Sequence, residues 1–493
     1  MRLLIFCWIT LSSLAIFAQK KTDIKDFNDS LFQSFNKTIL SDIDVSQKVQ
    51  RPLIAVDSVS KNIGFIYISN STNGAKSRVK SVVVNHKLEL LFQKEASIAT
   101  RKGTLDVTEV LDCGDDWAIF NTDDFFIEEF LISKKDGSVS KAKQYDPKLL
   151  AHRRVFKYQN KLYLFTFDSK NYILYQLEQG HIVSIGKDKL PEIPKFNLEK
   201  ALEAAIYVRD YRLPKFSESA GNYKVFTIQN QLVFSFDIVT KTESQMLTLS
   251  FDLATGIASK VSRNYPSVAS SLAMTLGVAK TKGYQFGSFI SSDSKVFLST
   301  INEKDFVISI QNLEGSNELR RITCSKKEGF GFRNSAIYND QSNHNMWSGK
   351  QQRKALDTLG EAQFWEHIVK SGLTILAVPT EGGYNLTCGN YVYNTTDDGS
   401  VLAAGILFGA IGAGIAGGLA AENSGTDSQY FYAHLNTSLE PVKDIELPTH
   451  QTQQYKVFDY NPRFKYRTYF QIDGKNAFCI YHSDSKKLML VSE

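Results

Sequence analysis

The sequence predicts a mostly β chain, a β-propeller-like repeat of antiparallel strands in about six or seven blades, with a few inserted helices. Three observations carry that prediction. Short apolar runs bounded by turn residues dominate from about residue 51 to the end. Four segments repeat one order of strand, turn, strand, turn, strand. The turns between the first two strands recur at intervals of roughly 60–70 residues. The same strands also allow an alternative, two consecutive β-sandwich-like domains.

The N-terminus is set apart. "MRLLIFCWITLSSLAIFA" (1–18) carries one charge at Arg2, an apolar stretch and a small residue at Ala18, the layout of a secretory signal peptide. Cleavage there leaves Gln19 first. Residues 19–50 form a leader, partly helical by pattern, because Phe27, Leu31, Phe35 and Ile39 recur every four positions. Residues 51–493 are the propeller-like body.

Within the body, "VFKYQNKLYLFTFDSKNYILYQLEQG" (155–180) and "VFTIQNQLVFSFDIVTKTESQMLTLSFDLATG" (225–256) share a Gln-Asn turn. "FISSDSKVFLSTINEKDFVISIQNLEG" (289–315) and "YFQIDGKNAFCIYHSDSKKLMLVSE" (469–493) follow the same order. Leu232, Phe234, Phe236 and Ile238 alternate with Ser235 and Asp237, which is strand periodicity. "LYLFTF" is apolar on both faces, as a strand covered from two sides should be. The repeating turn positions are Asn160, Asn230, Asp293 and Asp473, and "VVVNHKLELLF" (82–92) fits one step earlier. Two helical islands, 197–212 and 351–372, interrupt the strands, the second with Leu356, Leu359, Trp365 and Ile368 on one side.

A second insertion breaks the pattern differently. Residues 401–421 contain "GILFGAIGAGIAGGLAA", with no charge and no hydroxyl. As a helix they would span about 31 Å, the thickness of a bilayer core. Gly405, Gly409, Ala413 and Gly417 recur every four positions, a stripe that lets helix backbones meet. Over these residues the stretch resembles the glycine-zipper segments of some bacterial envelope proteins. The residues expected to pack against a helix or touch a membrane are Gly405, Phe408, Gly409, Ile411, Gly412, Ala413, Ile415, Gly417 and Leu419.

It does not read as a single span. Both flanks, "NTTDDGS" and "AENSGTDSQ", are acidic and lack the Lys/Arg excess that orients a span. Eight of its twenty-one residues are large and apolar, and strand pattern resumes after it. The run is therefore an excursion from one strand-to-strand connection, both ends on one side, with "YNLTCGNYVYNTTDD" and "QYFYAHLNTS" as the flanking strands.

Chemical motifs are sparse. Net charge is +5 with acids and bases interspersed, so no basic stripe points to nucleic acid. Cys113, Cys324, Cys388 and Cys479 form no C-x-x-C pair and admit three pairings. The eight histidines are scattered, and no cofactor motif occurs. Ser292-Asp293-Ser294-Lys295 contains S-x-x-K but sits where a turn is expected. Asp115, Asp116, Asp123 and Asp124 would hold Ca²⁺ if a hairpin brought them together. Asn36, Asn70, Asn385, Asn394 and Asn436 head N-x-S/T sites.

The expectation is an exported, non-enzymatic protein of the cell envelope, secreted or periplasmic, with no cofactor. Its partner is another protein, a second copy or a membrane surface, reached through the Gly/Ala run. The alternative is an extracellular hydrolase with a carboxylate-based site at the propeller mouth.

Overall fold

The computed structural model describes residues 36–40, 52–266, 284–394, 425–443 and 464–492, apart from internal stretches of at most five residues. The fold is mostly β and propeller-like. The described residues form seven sheets, and their registers are antiparallel with one exception. The chain divides into two compact units. One comprises Met1–Asn121, Phe130–Ala142 and Gln454–Glu493; the other, Thr122–Glu129 and Lys143–Gln453.

In the first unit, a terminal sheet combines both ends of the described chain. β1 (Asn36–Leu40) pairs with β31 (Lys487–Ser492), followed in order by β30 (Lys475–His482) and β29 (Phe464–Ile472). Ile39, which the four-residue spacing would put on a helix, therefore lies in a strand; the rest of the leader and residues 1–18 lie outside the described residues. The first sheet runs β2 (Leu53–Val56), β3 (Ile63–Asn70), β4 (Ser77–Val84) and β5 (Leu90–Ile98). The second runs β6 (Val110–Cys113), β7 (Asp116–Thr122), β8 (Ile127–Ser133) and β9 (Val139–Tyr145), most of it in this unit.

The first sheet is covered on both faces. Ile63, Phe65 and Tyr67 pack with Cys479 and Leu490 of the terminal sheet. Ile66 and Ile68, one step out of phase, pack with Trp117, Ile119 and Phe130 of the second. Gly64 makes room for that contact, since a Cβ there would lie 2.6 Å from the Trp117 ring. Above the ring, Lys134 bridges Asp57 at 3.1 Å and Asp112, an ion triad that is nearly buried.

The second unit repeats the plan. The third sheet is β10 (His152–Tyr158), β11 (Lys161–Phe167), β12 (Asn171–Glu178) and β13 (His181–Lys189). Then come α1 (Leu198–Ala204), β14 (Ile206–Val208) and α2 (Phe216–Ser219). The fourth sheet is β14, β15 (Tyr223–Ile228), β16 (Gln231–Val239), β17 (Ser244–Asp252) and β18 (Ala258–Asn264), with β14 parallel to β15. The fifth is β19 (Gln285–Ile290), β20 (Lys295–Ile301), β21 (Asp305–Asn312) and β22 (Glu318–Ser325).

One strand distinguishes serial stacking from the sandwich alternative. On β16, Leu232, Phe234 and Phe236 pack against Phe165 and Leu174 of the third sheet. Val233, between them, packs against the core of the fifth. A sandwich sheet buries one face; this one buries two. The outermost strands β5, β9, β13, β18 and β22 are largely exposed. Edge lysines such as Lys141, Lys187 and Lys260, and bulges in β5, β13 and β22, blunt them against edge-to-edge pairing.

The repeat turns fall at equivalent places. Asn160, Asn230 and Asp293 lie between the first two long strands of the third, fourth and fifth sheets. Gln229 and Asn230 both have positive φ, 46° and 61°, as a two-residue hairpin that follows strand twist requires. Asn85 departs from this series. It sits in the hairpin between β4 and β5, two strands later, where its Oδ1 accepts from the Lys87 and Glu89 N–H groups. Turn chemistry recurs at every hairpin, so a lone Asn did not identify which one.

Candidate functional site

The sixth sheet departs from the four-strand plan, and the Gly/Ala connection belongs to it. Its strands are β23 (Ile337–Asn345), β24 (Lys350–Arg353), β25 (Asp357–Leu359), β26 (Thr374–Thr380), β27 (Gly383–Asn394) and β28 (Gly425–Asn436). The order is β24-β23-β28-β27-β26, with β25 also pairing β23. α3 (Glu361–Ser371) lies between β25 and β26 in the chain.

β27 and β28 are hydrogen-bonded neighbours over their full length. The register runs from Gly383↔Asn436 to Asn394↔Gly425, twelve successive pairs. The strands expected on either side of the run are thus adjacent, and the two ends of segment 395–424 leave the sheet side by side. The nine candidate contact residues, from Gly405 to Leu419, lie in that segment and outside the described residues. No helix among the described residues is long and apolar enough to cross a membrane.

The base of this hairpin is firmly seated. Leu386, Cys388, Phe431, Ala433 and Leu435 belong to the core shared with the fifth sheet and α3. Gly389 permits close strand approach, since a Cβ there would lie 2.0 Å from the Gln429 carbonyl oxygen. Asn385 faces His434 at 2.8 Å, and Asn390 faces His367 at 3.3 Å. The Tyr384 hydroxyl donates to Asp293; burial, then that carboxylate, hold its pKa well above the usual range. Farther out the positions turn polar. Asn339, Asp340 and Gln341 of β23 stand opposite Gln429, Ser428 and Asp427 of β28. From there β23 and β24 continue through Ser342↔Arg353 to Asn345↔Lys350.

α3 is shorter than the 351–372 island predicted from sequence. Residues 350–353 and 357–359 are strands, and the helix starts after Gly360. Leu359 is therefore a strand residue, while Trp365 and Ile368 share the buried side as expected. The first island, 197–212, is likewise cut short at Ala204, where β14 begins two residues later. The stretch after it covers the sixth sheet: Phe216 of α2 packs on Tyr391 and Tyr430, with ring centroids 6.1 and 5.8 Å away.

The other sequence candidates separate. β7 itself lies between Asp116 and Thr122, about 20 Å of extended chain. Asp115 and Asp116 stand at its start, and Asp123 and Asp124, the other two residues of the calcium arrangement, lie outside the described residues. No group of three or more His, Cys, Asp or Glu among the described residues is placed to hold a metal. Ser292–Lys295 is a turn, with Ser294 at φ 68° and Lys295 bonded to Asn312 at 2.7 Å. Among the described residues, Cys113, Cys324, Cys388 and Cys479 are free thiols, the last three of them buried. Burial raises the Cys324 thiol to about 11 and drives Cys388 higher still, with Cys324 nearby as a second cause. Three N-x-S/T asparagines are hydrogen-bonded within the chain: Asn70 with Leu105 and Ser77, Asn385 with His434, and Asn436 with the Ser438 and Glu440 N–H groups.

Sequence reasoning missed one polar cluster. Lys224 of β15, 1% exposed, donates to Asp237 at 3.2 Å and to Ser288 at 3.5 Å. Ser288, on β19, donates to the other Asp237 oxygen at 2.5 Å. Tyr265 is buried beside them, its phenol pKa raised first by burial and then by Asp237. The cluster ties the fourth sheet to the fifth. Ser235 and Asp237 alternate with the apolar positions of β16; the fifth sheet covers the face of Asp237, and a buried carboxylate needs a cation.

No protein-family model matches the chain, and no curated protein does. Among solved structures it is similar to a mutant of the Synechocystis apocarotenoid oxygenase, at 9% identity and TM-score 0.29 over 56% of this chain and 61% of that one. It thus spans about three fifths of the oxygenase's length. The β-propeller domain of the Trilobed protease from Pyrococcus furiosus overlaps at 9% identity and TM-score 0.28, over 69% and 91% of the two chains. A subtype N11 neuraminidase-like protein of A/flat-faced bat/Peru/033/2010 (H18N11) overlaps at 11% and 0.27, over 84% and 97%. Overlaps this slight carry no argument about activity.

Proposed function

We propose that this protein is exported and serves as a non-enzymatic binding or assembly component at the cell envelope, with residues 401–421 as its contact element. The observation that supports this is the twelve-pair β27–β28 ladder, which delivers both ends of the connection at one end of one sheet. A segment whose ends emerge together contacts a surface, a partner or another copy without dividing the body across a membrane.

The test is deletion of 402–420 with a short Gly-Ser bridge, followed by cell fractionation and measurement of oligomer size. Loss of membrane association or a drop in size is expected. If both are unchanged, the run has no part in attachment. Export is checked separately by N-terminal sequencing of the mature chain, which should begin at Gln19.

A further inference from the structure

We draw no further inference here: the strongest candidate, the open groove of about 270 Å³ between the outer strands of the third and fourth sheets, rimmed by Lys187, Lys189 and Lys260, owes its charge to solvent-exposed side chains of the kind that protect sheet edges, and nothing in the structure shows what covers it.

Discussion

The third and sixth sheets solve the same packing problem with different sequence resources. In the third, β11 is buried from Leu162 to Phe167, and two short turns join it to its neighbours. Aromatic rings supply the cohesion: Phe165 lies within 6 Å of Phe167, Tyr172, Phe234 and Phe251. In the sixth, β27 reads "GYNLTCGNYVYN", with two glycines and three asparagines, residues disfavoured in strands. Its strand state comes from a long register with β28 and from core contacts with α3 and the fifth sheet. A locally specified sheet needs no long insertion. A sheet held by register can carry a thirty-residue connection at one end, because twelve pairs join β27 to β28 without it.

The difference predicts a graded series of effects. Phe165→Ala in the third sheet should cost about 3–5 kcal/mol, read from urea unfolding, because four rings lose a partner around a cavity. An effect below ~1 kcal/mol would show that the third sheet is not held by its rings. Lys224→Met should cost about the same, since Asp237 is left buried without its cation. Adding Asp237→Leu to that variant should recover most of the loss; no recovery would mean that the charges do not act as a pair.

Gly389→Ala probes the sixth sheet's dependence on close strand approach and should cost about 1–3 kcal/mol. Gly315→Ala meets nothing within 4 Å and should be nearly silent in the same assay. Equal effects would place the tight register elsewhere. An effect of pH is also expected. The folded Cys324 pKa, about 11, lies above its unfolded value of about 8.5, so its contribution is complete below the latter. Unfolding then releases a proton as pH rises, and stability falls between about pH 9 and 11. Cys324→Ala, compared with the parent chain over that range, should flatten this limb. The smallest effect is expected from the 402–420 deletion, which should leave the unfolding midpoint unmoved, because the ladder ends at Asn394↔Gly425. A lowered midpoint would mean that the run is part of the packed body.

Much of this architecture was readable before any coordinates. Alternation in 231–238, the Gln-Asn turns and the resumption of strands after residue 425 are local signals, and each corresponds to an observed element. Asn85 and the early part of 351–372 were misplaced for the converse reason. Turn residues and helix formers say what a stretch can do, and pairing to β23 decided what 350–359 does.

The sequence alone determined the repeat and the excursion, because strand period and turn chemistry depend on neighbours a few residues away. Tertiary structure decided which faces are doubly covered, that β1 joins β31 across 450 residues of chain, and that Lys224 must meet Asp237. Those outcomes rest on desolvation by segments remote in sequence. Burial is a property of the assembled sheets, and no single strand encodes it.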